Sequence, residues 1–134
     1  MYAESSALVK LVRDEAESDA LRAYVADADL VSCELVLTEL PRAIRRAAAE
    51  EPELGLERLL RRAGEILDAL ALLPLDRGLL LAAGALDEPR LRALDAIHIA
   101  AALDISPVDA FISYDERQAA TARLVGIRTV APGT

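Results

Sequence analysis

Short apolar runs alternate with longer helical stretches along this whole chain, and that alternation leaves few folds open. The runs are Met1 to Glu4, LVSC ending at Cys33, Ala71 to Leu75, Val108 to Ser113 and Arg128 to Ala131. Between them lie the helical patterns ALVKLV, Ala16 to Ala26, Glu34 to Ala49, Leu54 to Leu70, Asp76 to Ala85, Leu91 to Leu103 and Asp115 to Val125. Strands separated by helices predict an α/β fold, with a central parallel sheet of about five short strands flanked by helices. There is no linker, repeat or low-complexity segment, so residues 1–134 read as one domain.

Local signals refine this outline. Ser5 and Ser6 are N-cap residue types for the first helix. Leu37, Leu40 and Ile44 mark the inner face of the helix after LVSC, and Pro41 is expected to kink or split it. Asp115 is placed to cap the last helix and Gly126 to end it. The tail Pro132, Gly133 and Thr134 is expected to be loose.

Hydrophobic residues make up 54% of the chain, which excludes disorder, and aromatics only 3%, which leaves the core to Leu, Ala, Val and Ile. The one cysteine, Cys33, excludes an internal disulfide and reads as buried and inert. No apolar stretch approaches the roughly 20 residues of a membrane helix, and no basic segment leads an apolar signal core. A cytoplasmic protein is expected. The formal net charge of −8 argues against a plain nucleic-acid binder, unless some of the acids are neutralised by metal.

Four of those acids stand out. Glu4 closes the first apolar run, Glu39 lies in LVLTELPRAI, Asp95 opens LDAIHIAAAL, and Asp115 follows AFISY. Open α/β sheets bind ligands at the carboxyl ends of their strands, where the strand order reverses. If the first and fourth strands are neighbours there, Glu4 and Asp115 face one crevice, with Asp95 beside it and Glu39 within reach. Clustered carboxylates need cations, and Mg²⁺ with oxygen ligands is the usual partner of phosphate chemistry. Each acid also has an ordinary explanation: Asp115 as a cap, Asp95 as a charge at a helix start, Glu39 as a solvated helix residue. Glu4 is the hardest to explain in that way, because Glu is a poor N-cap.

The segments YAESSALVK (Tyr2 to Lys10), TEL (Thr38 to Leu40), LDAIHIAAA (Leu94 to Ala102) and FISYDER (Phe111 to Arg117) resemble, in order, those of the PIN-domain ribonucleases. The match is closest to the VapC toxins of bacterial toxin–antitoxin pairs. The resemblance implies a Mg²⁺- or Mn²⁺-dependent endoribonuclease that cuts tRNA or rRNA, a homodimer, and a cognate antitoxin occupying the acidic site. It carries Glu39, Asp95 and Asp115 onto the family's acidic positions. Glu4 stands where the family usually has Asp, and the added methylene puts metal affinity or rate in question. Ser6 matches a hydroxyl-bearing position that orients the ligands.

On this reading Glu4, Asp95 and Asp115 hold the metal, with Glu39 shared or outer-sphere, and an activated water leaves a 5′-phosphate and a 3′-hydroxyl. A chain with a single histidine excludes a two-histidine mechanism within one subunit. His98, three residues after Asp95 and flanked by isoleucines, is expected to be a packed or supporting residue rather than a ligand. Arg117 reads as a partner for a site carboxylate or phosphate, or as a plain surface residue. Arg42, Arg45 and Arg46 are candidate RNA contacts, set against a solvated face or ion pairs with nearby glutamates. The alternative function is a catalytically weakened PIN-like module that acts through its protein or RNA partner. A phosphatase lacks its D-x-D here, and a dinucleotide-binding domain lacks G-x-G-x-x-G.

Overall fold

The side chains of each short strand alternate between two helical layers, and this sets the architecture. In the computed structural model, which describes residues 1–134, the elements run β1 (Tyr2–Ala3), α1 (Ser5–Val12), α2 (Ser18–Val25), β2 (Val31–Cys33) and α3 (Val36–Glu50). After a 3₁₀ turn at Pro52–Leu54 come α4 (Leu56–Ala69), β3 (Ala71–Leu73), α5 (Arg77–Gly84), α6 (Ala93–Asp104), β4 (Phe111–Ile112), α7 (Glu116–Leu124) and β5 (Thr129–Val130). The five strands form one sheet in the order β3-β2-β1-β4-β5. All neighbouring pairs are parallel, with Tyr2 opposite Val31 on one side and Phe111 on the other.

Tyr2, Cys33 and Phe111 point to one face, where they meet Leu79 and Ala83 of α5 and Ile99 to Ala102 of α6. Ala3 and Ile112, one residue on, point to the other face and meet α1, α3 and α4 through Leu8, Leu11, Val36, Leu40, Ile44 and Leu59. Period-two alternation therefore feeds two cores from strands of only two or three residues. Leu8, Leu21, Leu40, Ile44 and Leu59 are fully or almost fully buried, each stabilising by about 2 kcal/mol. The Tyr2 ring stacks on Phe111 at a centroid distance of 5.3 Å.

Several local expectations need correction. Helix α3 runs unbroken through Pro41. The carbonyl that loses its donor belongs to Leu37, which is 46% exposed rather than on the inner face, so water can replace the missing amide. The cap of α1 is Glu4, whose carboxylate accepts from the Ser6 amide, while Ser5 and Ser6 are the first residues inside the helix. Nor is the tail loose: the Tyr114 hydroxyl donates to the Pro132 carbonyl at 2.8 Å. Gly133, at φ +88°, lies so close to Ala20 of α2 and to Glu17 just before that helix that a Cβ would stand 3.1 Å from each.

Candidate active site

Strand order reverses between β1 and β4: β1 leads through α1 and α2 to β2 on one side, and its other neighbour is β4. Parallel strands at a reversal splay their following helices to opposite faces and open a crevice at their carboxyl ends. Glu4 leaves β1 at this point and Asp115 leaves β4. The Glu4 amide donates to the Ile112 carbonyl at 3.3 Å. The Ser6 hydroxyl binds the Glu4 carboxylate and accepts from the Tyr114 amide at 2.8 Å. One hydroxyl thus joins the two strand ends.

All four acids belong to the first turns of different helices. Glu4 and Asp115 are the N-caps of α1 and α7, and Glu39 and Asp95 lie in the opening turns of α3 and α6. Asp115 accepts from the Arg117 amide at 3.0 Å and from the Gln118 amide at 3.3 Å. Unpaired amides and the helix dipole make each of these positions favourable for negative charge. Four helix starts therefore offset part of the repulsion among the carboxylates.

They do not offset all of it. The Asp95 carboxyl is pushed above the usual carboxylate range, first by its burial and then by the charges of Asp115 and Glu39. Glu4, 3% exposed, is also pushed up by burial, against the pull of its bonds from Ser6 and the charge of His98. Glu39 meets His98, whose Nε2 is 2.6 Å from Glu39 Oε1. On the other side of that ring, Nδ1 lies 2.7 Å from the Tyr2 hydroxyl and 3.7 Å from Cys33 Sγ. Burial alone would lower the His98 pKa, but its bonds to Cys33 and Glu39 outweigh that and raise it to about 10.

The donor chemistry fits a hard divalent cation: oxygen ligands only, with Asp95 repelled by two neighbouring acids that a cation would quiet. No ready-made cage exists, because no three His, Cys, Asp or Glu side chains stand together as a metal-holding group.

Residues 1–124 match the family model described as PIN domain. The chain belongs to the PIN-domain family. Within that family it is homologous to VapC ribonucleases. Ribonuclease VapC35 of Mycobacterium tuberculosis is 37% identical over 139 aligned positions, which cover 99% of this chain and 97% of the relative. Ribonuclease VapC46 of the same species is 37% identical over 134 positions, covering 98% and 97%. Ribonuclease VapC47, also from that species, is 34% identical over 139 positions, covering 99% and 97%.

Two sets of this PIN domain's arginines bear on the site, one on α3 and one beside Asp95. Arg42, Arg45 and Arg46 are exposed on α3, and none is among the protein's ion pairs. Arg42 and Arg46 follow Glu39 by three and seven residues, so they continue its stripe along the helix. Arg117 is exposed and makes no ion pair; its charge draws the Asp95 pKa down, against the larger upward effects. It shares with Asp95, Arg90 and Arg92 a cleft of about 470 Å³.

Two residues of this PIN domain escaped the sequence reading. Tyr2 holds His98 from beneath the sheet's end, and nothing in a two-residue strand announces that contact. Gln118 is 1% exposed and donates to the Asp95 carbonyl at 3.4 Å, tying α7 to α6. Its signal was a polar residue three positions after Asp115, beside the small residues Ala119 and Ala122.

Proposed function

We propose that this PIN domain is a divalent-cation-dependent endoribonuclease toxin of a bacterial toxin–antitoxin pair, acting on structured RNA such as tRNA or rRNA. The observation that carries the reading is Asp95, half-buried at the start of α6 and raised by that burial and by the charges of Asp115 and Glu39. Homology to VapC ribonucleases supports it independently.

Asp95 and Asp115 would hold Mg²⁺ or Mn²⁺ together with Glu4, and Glu39 completes the set directly or through water. When bound, the cation supplies charge neutralisation at the phosphate and acidifies water. The protein's own groups do the rest. Ser6 fixes the Glu4 carboxylate against the end of β4. Arg117 and the neighbouring cleft offer positive charge to a phosphate. Arg42 and Arg46, with Arg45 to the side, offer a track for the RNA backbone that starts from Glu39. The products expected are a 5′-phosphate and a 3′-hydroxyl. A cognate antitoxin covering the acidic crevice and a homodimer complete the proposed assembly.

Purified protein incubated with bulk tRNA and rRNA tests this. Cleavage with Mg²⁺ or Mn²⁺ that disappears in EDTA and in Asp95→Asn is the expected result, and full activity in EDTA would overturn it. Replacing Arg42 and Arg46 together by Ala should weaken RNA binding and flatten its salt dependence.

A second reading has its own support. Glu4 Oε1 takes both donors of Ser6, the amide at 3.0 Å and the hydroxyl, so one oxygen is committed to capping. A longer, tethered carboxylate suits a module that binds its partners and cleaves weakly. Glu4→Asp separates the two: an increase in cleavage of tenfold or more, on the order of 1.4 kcal/mol in barrier, favours the weakened module.

A further inference from the structure

We infer that His98 is the positioning residue for Glu39, held for that task by Tyr2 from the interior of the sheet. The inference rests on the proposed function, because it assigns Glu39 a place beside the cation.

The geometry is a relay of three side chains from three elements. The Tyr2 hydroxyl on β1 is 2.7 Å from His98 Nδ1, and His98 Nε2 on α6 is 2.6 Å from Glu39 Oε1 on α3. His98 is 1% exposed, its ring edge-on to Tyr2 at 5.8 Å, and Tyr2 is itself stacked on Phe111. The imidazole cannot turn without breaking its bonds to Tyr2 and Glu39.

A carboxylate only accepts hydrogen bonds, so Nε2 must carry a proton, however Tyr2 and Nδ1 share theirs. A hydrogen bond of this kind fixes one oxygen of Glu39 and leaves the other free to face the crevice. Outer partners of this type orient ligating carboxylates, and losing one typically lowers metal affinity about 10- to 100-fold. A simpler role, filling core space, would need neither the Nε2 contact nor the bond at Nδ1. Leu or Phe would fill the same volume with no buried polar atoms to satisfy.

His98 is the only histidine in the chain, so its ring nitrogens give an unambiguous ¹⁵N spectrum. The expected spectrum at neutral pH shows a protonated Nε2; an unprotonated Nε2 would overturn the inference. Mn²⁺ titration followed by electron paramagnetic resonance supplies the second readout. His98→Leu should bind Mn²⁺ at least about tenfold more weakly than the unmodified protein. His98→Gln, whose amide places an N–H near the lost Nε2, should recover most of that loss. Tyr2→Phe keeps the ring stack and removes the hydroxyl, and it should fall between them, which keeps the inference testable if His98→Leu fails to fold. Unchanged Mn²⁺ affinity in all three variants, with the unmodified protein binding, would overturn this inference alone. No Mn²⁺ binding by the unmodified protein would overturn the proposed function and this inference with it.

Discussion

Ser6 shows how much one small side chain carries here. Its hydroxyl serves a buried carboxylate and the amide that follows β4, so removing it strands the Tyr114 amide and leaves the carboxylate only the Ser6 amide and the Ser5 hydroxyl. Ser6→Ala should destabilise the fold by about 1–3 kcal/mol, read as a shift in the urea midpoint, and should weaken cleavage further by freeing Glu4. Asp95 has the opposite sign. Its pKa is raised from 3.8 in the fold, so the folded chain binds more protons than the unfolded one across that window. Its contribution is fully present below 3.8 and is lost as pH climbs through the raised value. Without divalent cations, stability should fall as pH rises from about 4 toward neutrality. Asp95→Asn should flatten that slope, raise the melting temperature at pH 7 and abolish cleavage. Glu4, raised in the same direction, leaves a residual slope. A melting temperature lowered by Asp95→Asn at neutral pH would refute the repulsion argument.

Helix starts organise the site, and they explain which parts of it were legible. The α/β alternation and the cap at Asp115 followed from period, spacing and residue type, because those depend on neighbours in sequence; the strand order, with β1 beside β4, did not. The role of Ser6 was legible only through family resemblance. What stayed hidden depends on contacts across the sheet: the exposure of Leu37, the docking of the tail on α2, and the bond from Tyr2 to His98. Glu4 was misjudged because capping preferences are averages; here the side chain is buried at a strand end and has Ser6 to bind. Asp115 combines both kinds of information, and substitutions can part them. Asp115→Asn keeps an acceptor for the Arg117 and Gln118 amides and should leave stability within about 0.5 kcal/mol, while Asp115→Ala should cost about 1 kcal/mol. Both should lose cleavage. Equal stability of the two variants by thermal melt would show that the cap contributes nothing.

For the molecule as a whole, a net charge of −8 is gathered partly at one crevice, so ions should act on it in two distinguishable ways. Sodium chloride screens all exposed charges alike and should raise the melting temperature modestly. Magnesium chloride at equal ionic strength should raise it further, because a ligand bound only by the folded chain stabilises in proportion to the logarithm of its concentration over Kd. Equal curves for the two salts would count against a discrete cation site; Asp95→Asn should abolish the difference between them.

The central strand β1 comes first in the chain, yet Tyr2 pairs with Phe111 and Ala3 with Ile112. A ribosome making this protein therefore releases Glu4 long before the strand that completes its surroundings has emerged. Until β4 and the start of α7 are out of the exit tunnel, Asp115 is absent and the Ser6 hydroxyl lacks its Tyr114 partner. Pairings so distant in sequence form late. The growing polypeptide should consequently lack its finished acidic crevice until synthesis is nearly over.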